Sequence, residues 1–97
     1  MGEEYEVLER GNRLLIRLAP GRFAFLEYRV EGKLMYIDKT YTPPEFRGRG
    51  IAGRLMKVAV KKVLDQGLKI VPNCSYAKHY LLEKHPEYSD LVFKKSK

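Results

Sequence analysis

Short runs of alternating apolar and polar residues predict strands in the first half of the chain. Three such runs can be distinguished: residues 14–18, 23–30 and 34–42. Pro20-Gly21 and Gly32 supply turns between them, and Pro43-Pro44 ends the third run because proline cannot donate to a strand ladder. We therefore expect three consecutive antiparallel strands.

The apolar spacing becomes helical after the third strand. Between residues 49 and 66, apolar residues recur at intervals of one, three and four, which places them on one face of a helix. Gly67 stands where a helix commonly ends in a left-handed residue. A short apolar strand follows at 68–71 and stops at Pro72.

A second helix is expected over residues 75–84, with Asn73 or Ser75 as its N-cap. An extended segment at 88–93 then precedes a basic tail at 94–97. The whole order predicts an α/β fold with a mixed sheet. Its antiparallel N-terminal strands lead into a strand–helix–strand–helix crossover, which is right-handed by the general rule for parallel strands.

The composition narrows the classes of protein to consider. The 97 residues make one domain, and 19 Lys and Arg against 12 Asp and Glu give a net charge of +7, which indicates an anionic partner. Cys74 is the single cysteine, which excludes an intrachain disulfide, and with only two histidines we expect no metal site. The acidic start does not resemble a signal peptide, and no apolar run could span a bilayer. We therefore expect a cytoplasmic protein without membrane association.

The most informative segment is the glycine-rich turn that joins the third strand to the first helix. Its three glycines and Ala52 leave backbone N–H groups uncovered at a helix N-terminus, where unpaired donors and the helix dipole favour an anion. Arg47 and Arg49 can add charged contacts to phosphate oxygens. The other interpretation is a tight connection with solvated arginines. The spacing fits neither a Walker loop nor a dinucleotide-binding fingerprint.

This turn resembles the pyrophosphate loop of the GNAT superfamily of N-acetyltransferases. Arg47-x-x-Gly50-x-Ala52 matches the superfamily's Arg/Gln-x-x-Gly-x-Gly/Ala pattern. Pro72-Asn73-Cys74-Ser75-Tyr76 resembles the Pro-x-Cys-x-Tyr/Phe segment of the short-form GNAT-like group. The resemblance extends over roughly residues 23–88, most of a single domain. It implies a GNAT-like fold and an acetyl-coenzyme A-dependent N-acetyltransferase that acts on an amine acceptor.

The resemblance also implies a cofactor site between two strands that splay apart. The loop residues that would bind the pyrophosphate are Arg47, Gly48, Arg49, Gly50, Ala52 and Gly53. Backbone groups of Tyr41 and Thr42 would align the pantetheine and polarise the thioester carbonyl, and Arg54 would reach the 3′-phosphate. Cys74 and Tyr80 are expected beside the same cofactor.

Cys74 is the most reactive group of the expected site. It falls between a strand and a helix N-terminus, a place that favours the thiolate. Three roles are open for it: covalent acceptor of the acetyl group, proton donor to the departing thiolate, or a small apolar side chain in the core. The tyrosine acid usual in GNAT enzymes falls on Leu81 here, which leaves Tyr76 and Tyr80 as nearby substitutes.

The general base is a second departure from the resemblance. The short-form group commonly has a histidine where this chain has Lys39, and an ordinary lysine is protonated at neutral pH. Either burial makes Lys39 a base, or Asp38, Glu27 or water takes that role. His79 on the second helix is expected to be a surface residue.

Two other functions fit parts of the sequence. A coenzyme A-binding protein without transfer activity is compatible with the departures at Lys39 and Leu81. A small basic nucleic-acid-binding module is compatible with the charge and with tyrosine-rich strands, but no RNA-binding signature is present and the basic residues are densest around the glycine loop. We therefore expect acetyl-coenzyme A and an amine, rather than nucleic acid, as partners.

Overall fold

The computed structural model describes residues 5–94 as a five-stranded sheet with helices on one face. The strands are β1 (Val7–Arg10), β2 (Arg13–Ala19), β3 (Arg22–Glu31), β4 (Leu34–Tyr41) and β5 (Lys69–Pro72). The helices are α1 (Ile51–Gln66) and α2 (Ser75–His79), with a π-helical turn at Tyr80–Lys84 and 3-10 helices at Pro44–Phe46 and Pro86–Leu91. The strands lie in chain order, the first four antiparallel and β5 parallel to β4. This is the mixed α/β fold that the sequence predicts.

Alternation along the strands gives the sheet one buried face. Ile16, Leu26 and Ile37 on β2, β3 and β4 are completely buried, and they belong to one core with Leu55 and Met56 of α1. Each such side chain contributes about 1.5–3 kcal/mol through its burial. Within residues 5–94, both helices pack on this face, and no helix is long and apolar enough to cross a membrane.

The strands β4 and β5 diverge halfway along β4. Their parallel pairing runs from Leu34↔Lys69 to Ile37↔Pro72, and the last bond joins the Asn73 N–H to the Ile37 carbonyl at 2.9 Å. A β-bulge at Asp38 shifts the register between β4 and β3 at the same point. Beyond it, residues 39–41 remain paired with β3 but not with β5. A gap therefore opens at this end of the sheet.

Two elements differ from the expectations for the ends of the chain. The sequence indicates no strand at Val7–Arg10, but β1 forms there by antiparallel pairing with β2. Glu9 on this strand also accepts a hydrogen bond from Tyr28 and forms an ion pair with Lys62. The extended segment expected at 88–93 is mostly the 3-10 helix that Pro86 begins, and only Val92 forms a bridge, with Ile70. The tail beyond Lys94 lies outside the described residues.

The second helix differs from its expected form. Its regular part ends at His79, and a π-helical turn completes it, so that the consecutive residues Tyr80 and Leu81 are both buried. Neither Asn73 nor Ser75 is its N-cap. The Cys74 thiol takes that role, because its Sγ accepts the Ala77 N–H at 3.4 Å.

Candidate active site

The gap between β4 and α2 is a cleft of about 700 Å³. One wall is the end of β4, the floor includes the glycine loop and the first turn of α1, and the other wall is the start of α2. The sequence-predicted residues that line it are Lys39, Tyr41, Thr42, Arg47, Gly48, Gly50, Ala52, Gly53, Cys74 and Tyr76. The fold thus brings together most of the residues expected at the site, from segments more than 30 positions apart.

The loop before α1 depends on glycine at two positions. Gly48 and Gly50 have φ angles of 83° and 76°, which side-chain-bearing residues adopt only with strain. A Cβ at either position would meet no atom within 4 Å, so the loop borders open space. Gly50 is the N-cap of α1, and no side chain caps the first-turn N–H groups. The loop and helix therefore present uncapped donors to the cleft.

Gly53 differs from these two, because it faces the tyrosines of the second helix. A Cβ there would lie 3.6 Å from the Tyr76 hydroxyl and 3.7 Å from the Tyr80 ring. Both tyrosines of the second helix therefore lie against the first turn of α1. This contact positions Tyr76 at the cleft wall.

Thr42 carries a buried hydroxyl without a partner. The residue is 8% exposed, and its Oγ1 makes no hydrogen bond with the described residues. Leaving a buried hydroxyl unpaired costs about 1–3 kcal/mol, so an orphaned hydroxyl at a cleft wall indicates a polar ligand. Sequence reasoning had assigned Thr42 only a backbone role.

The arginines around the loop are already partly engaged. Arg47 donates from Nε to the Thr42 carbonyl at 2.9 Å, which fastens the loop to the end of β4. Arg49 lies over the Phe46 ring, 5.1 Å from its centroid. Arg54 donates from Nε to the Tyr5 carbonyl at 2.7 Å, and it faces a second cavity rather than the cleft. The other N–H groups of these guanidinium side chains can donate to a ligand.

The second cavity, of about 810 Å³, adjoins the cleft through Gly50, Gly53 and Lys84, which line both. Its cations are Arg49, Arg54, Lys57 and Lys84, and its aromatic wall is Tyr80, His85 and Tyr88. The Tyr80 and Tyr88 rings are stacked, with centroids 6.3 Å apart. A cationic cavity with a flat aromatic wall suits a phosphate attached to a planar ring system.

Lys84, His85 and Tyr88 were not identified as site residues from the sequence. The π-helical turn changes the angular position of every residue after His79, so a regular helical projection misplaces Lys84. Tyr80, which the sequence reasoning placed beside the cofactor, is 4% exposed and borders this second cavity instead of the cleft. Arg49, Arg54 and Tyr80 are the sequence-predicted residues on this side of the site.

The candidate acids lie close together. The Cys74 thiol is held at the N-terminus of α2 and lies 3.9 Å from the Thr40 hydroxyl. Burial, and secondarily the charge of Cys74, raises the pKa of Tyr76. Burial likewise raises the pKa of Tyr80. Both phenols therefore remain protonated at neutral pH. Leu81, at the position of the usual tyrosine acid, is completely buried in the core.

The candidate bases are less suited to their role. Lys39 is exposed on the strand end, with its Nζ 5.9 Å from the centre of the Phe25 ring. Hydrogen bonds from Asn73 and Arg29 hold the pKa of Asp38 below its usual value, so this carboxylate is a weak base. Glu27 is paired with Arg13 at 2.6 Å. His79 is exposed and contacts Glu83, away from the cleft lining.

The fold and the glycine loop are those of the GCN5-related class. A family model described as GCN5-related N-acetyl-transferase matches residues 13–91, and the chain belongs to this family. The solution structure of a GCN5-like protein from Staphylococcus aureus superimposes with a TM-score of 0.75 at 31% identity, over 94% of this chain and 90% of that one.

Three further proteins are similar to this chain. Protein NATD1 of Xenopus tropicalis is 39% identical over 67 residues, which are 67% of this chain and 62% of that protein. The human NATD1 is 37% identical over 67 residues, and the match covers 59% of its length. The chain thus spans about three fifths of these relatives. The ribosomal-protein-alanine N-acetyltransferase of Brucella melitensis shares the fold, with a TM-score of 0.53 at 20% identity over 88% of this chain and 63% of that one.

Proposed function

We propose that this chain binds acetyl-coenzyme A in the cleft and transfers the acetyl group to an amine. The observation that carries the proposal is the open glycine loop at the N-terminus of α1, beside the buried and unpartnered Thr42 hydroxyl. Both features favour a polar, anionic ligand at the same place, and packing within the protein accounts for neither.

The cationic residues fit the phosphates of this ligand in two places. The loop N–H groups and Arg47 suit a pyrophosphate at the cleft, because uncapped donors and the helix dipole act there together. Arg54 and Lys57 suit the 3′-phosphate in the second cavity, where the partly exposed rings of His85 and Tyr88 form a wall for the adenine. Lys84 borders both cavities and serves either phosphate group.

The end of β4 fits the extended arm of the ligand. Beyond Asp38, the strand edge that faces the cleft is not paired with β5, so its peptide groups are free to bond an extended chain such as pantetheine. The ligand supplies an activated acetyl thioester, on which an amine nitrogen forms its new bond as the sulfur departs. The chain's own residues then need to orient the thioester and give a proton to the sulfur.

Two side chains of the cleft can give this proton. Cys74 is held by the Ala77 N–H and lies beside the Thr40 hydroxyl, while Tyr76 stays protonated because of its burial. Cys74 has the additional option of accepting the acetyl group on Sγ before the amine takes it.

Calorimetric titration with coenzyme A and with 3′-dephospho-coenzyme A tests the binding. We expect Lys57→Gln to weaken coenzyme A binding by about two- to fivefold, the usual effect of one exposed charged contact, without changing the binding of the dephospho compound. Lys61→Gln is the matched control, since Lys61 lies one helical turn further along α1, pairs with Asp65 and does not line the cavity. Absence of coenzyme A binding to the unmodified protein would refute the proposal.

Mass spectrometry after incubation with acetyl-coenzyme A separates the roles of Cys74. An acetyl adduct that disappears in Cys74→Ser supports the covalent role. Transfer without an adduct, slowed in Cys74→Ser, supports proton donation, and the same experiment on Tyr76→Phe identifies the alternative donor. Unchanged transfer in Cys74→Ser would leave this cysteine only its capping role.

A second candidate is a coenzyme A-binding protein that does not transfer. The weak candidate bases favour it, because Lys39 is exposed and the carboxylates of Asp38 and Glu27 are engaged by cations. Binding without turnover across a broad set of amines would select this function.

A further inference from the structure

The sheet face opposite the helices is not covered by any helix within residues 5–94, and it continues to the mouth of the cleft. Residues that pair across neighbouring strands share a face. The pairs Arg10↔Arg13, Arg13↔Glu27 and Glu27↔Lys39 therefore form one row across four strands. At about 4.8 Å between strands, this row is about 14 Å long. It ends at Lys39, which lines the cleft.

The bulge at Asp38 is what brings the cleft to this face. Strict alternation after Ile37 would turn Lys39 and Tyr41 toward the helices. The extra residue reverses the alternation, so that Lys39 pairs with Glu27 and Tyr41 with Phe25, both on the open face. The cleft lining thus includes residues from both faces of the sheet, and an acceptor can approach from the side that the phosphate-binding loop does not occupy.

This half of the open face is strongly cationic. We call Arg10, Arg13, Arg17 and Lys39 the basic patch; Arg17 lies on the same face, paired with Phe23. The acid within the row is Glu27, which Arg13 engages at 2.6 Å. The other three cations are exposed and make no ion pair with the described residues. Toward the other end of the face, by contrast, Arg29 is balanced by Asp38 and Glu31.

The Phe25 ring lies beside the basic patch and is in contact with two of its cations. Arg13 lies 4.9 Å and Lys39 5.9 Å from the centre of the Phe25 ring, and Tyr41 packs against the same ring at 5.6 Å. Single-stranded nucleic acids are bound through open ring faces on which bases stack. Tyr41 and Phe23 on this face are 38% and 39% exposed. The preference for carboxylates therefore rests on the free cationic groups of Arg10, Arg17 and Lys39.

We propose that the acceptor is an acidic peptide segment that lies across the basic patch and delivers its amine to the cleft beside Lys39 and Tyr41. A length of about 14 Å corresponds to about four extended residues. Basic acceptors are disfavoured, because their charges would meet Lys39 and Arg17. In the transfer, the amine loses a proton as its N–C bond forms, and the departing sulfur takes one up. This inference rests on the proposed transfer function.

The test uses three synthetic peptides of the same length, each with one free amine, whose flanking residues are glutamate, glutamine or arginine. We expect kcat/KM to decrease in that order, by about two- to fivefold for each ion pair that is lost. The preference should weaken between about 0.1 M and about 1 M salt, as the screening length falls from about 10 Å to about 3 Å. Equal values for the three peptides would overturn the proposal.

Charge reversal locates the binding surface. Arg10→Glu and Arg17→Glu should each reduce the preference for the glutamate-flanked peptide while leaving coenzyme A affinity unchanged, since neither residue lines the cleft or the second cavity. Lys33→Glu is the matched control, because this exposed lysine lies in the hairpin turn at the far end of β4. A preference that is undiminished in both variants would contradict the assignment of the basic patch.

Binding of the peptides, measured by NMR titration without any transfer, separates this proposal from the proposed function. If coenzyme A does not bind but the acidic peptide shifts the resonances of the basic patch, the transfer function is refuted and peptide binding at the patch is supported. If coenzyme A binds and transfer occurs without charge preference, the proposed acceptor surface is refuted and the proposed function is retained. Tighter binding of a uridine oligonucleotide than of the acidic peptide, or a dimer that Arg17→Glu dissociates, would assign the surface to another occupant.

Discussion

Replacing Thr42 by valine should raise stability and lower cofactor affinity at the same time. Valine keeps the volume and the β-branched shape of threonine but removes the hydroxyl, which is buried and unpartnered in the free protein. Removal of an unpaired buried hydroxyl relieves a cost of about 1–3 kcal/mol. For a domain of this size, about 1 kcal/mol corresponds to an increase in Tm of about 4–8 °C.

The affinity should change in the opposite direction. If Thr42 Oγ1 bonds the ligand, its loss removes about 0.5–1.5 kcal/mol of binding, or about two- to tenfold in Kd. Thermal denaturation of the free protein and calorimetry with coenzyme A measure the two effects. Thr42→Ser is the control, since it keeps the hydroxyl and should retain the affinity. A valine variant that is less stable and binds coenzyme A as before would refute the reasoning.

Three further predictions follow from other parts of the molecule. Gly50→Ala should destabilise the chain by about 1–2 kcal/mol in denaturant unfolding, because φ is 76° there, and should weaken coenzyme A binding. Hydrogen bonds from Tyr28 and Lys62 lower the pKa of Glu9 from the usual carboxyl value of 4.5. The ionised Glu9 carboxylate therefore stabilises the fold above pH 4.5, and this stabilisation is lost as the pH falls through the lowered pKa. Glu9→Gln should flatten the acid limb of the curve of unfolding free energy against pH. The described cleft has no strong base, so the rate of transfer should follow the neutral fraction of the amine. At a pH near 7.5, α-amines should therefore react roughly two orders of magnitude faster than lysine side chains. Equal rates for both would indicate a base.

The parts of the site that depend on local backbone chemistry could be predicted from the sequence. Gly48 and Gly50 mark a turn with positive φ before a long amphipathic helix, and both the turn and the helix depend on neighbouring residues in the sequence. The same holds for Gly67, which ends α1 with a φ of 66°. The family assignment, made from Arg47-x-x-Gly50-x-Ala52 and confirmed by the family model, rests on such a local segment.

The parts that depend on tertiary contacts could not be predicted. β1 has only two apolar residues, and pairing with β2 and the contacts of Glu9 with Tyr28 and Lys62 hold it in place. Lys84 reaches both cavities because a π-helical turn changes its direction, a feature without a sequence signature here. The bulge at Asp38 turns Lys39 to the open face, although alternation alone would bury it among the helices.

The central claim is that the gap between β4 and α2 binds acetyl-coenzyme A. An amide NMR titration of the protein with this compound tests it most directly. We predict saturable shifts at Thr42, at residues 47–53 and 74–76, and a smaller set around the second cavity at Lys57 and Lys84. An unchanged spectrum at millimolar ligand, or shifts confined to the open face of the sheet, would contradict the claim.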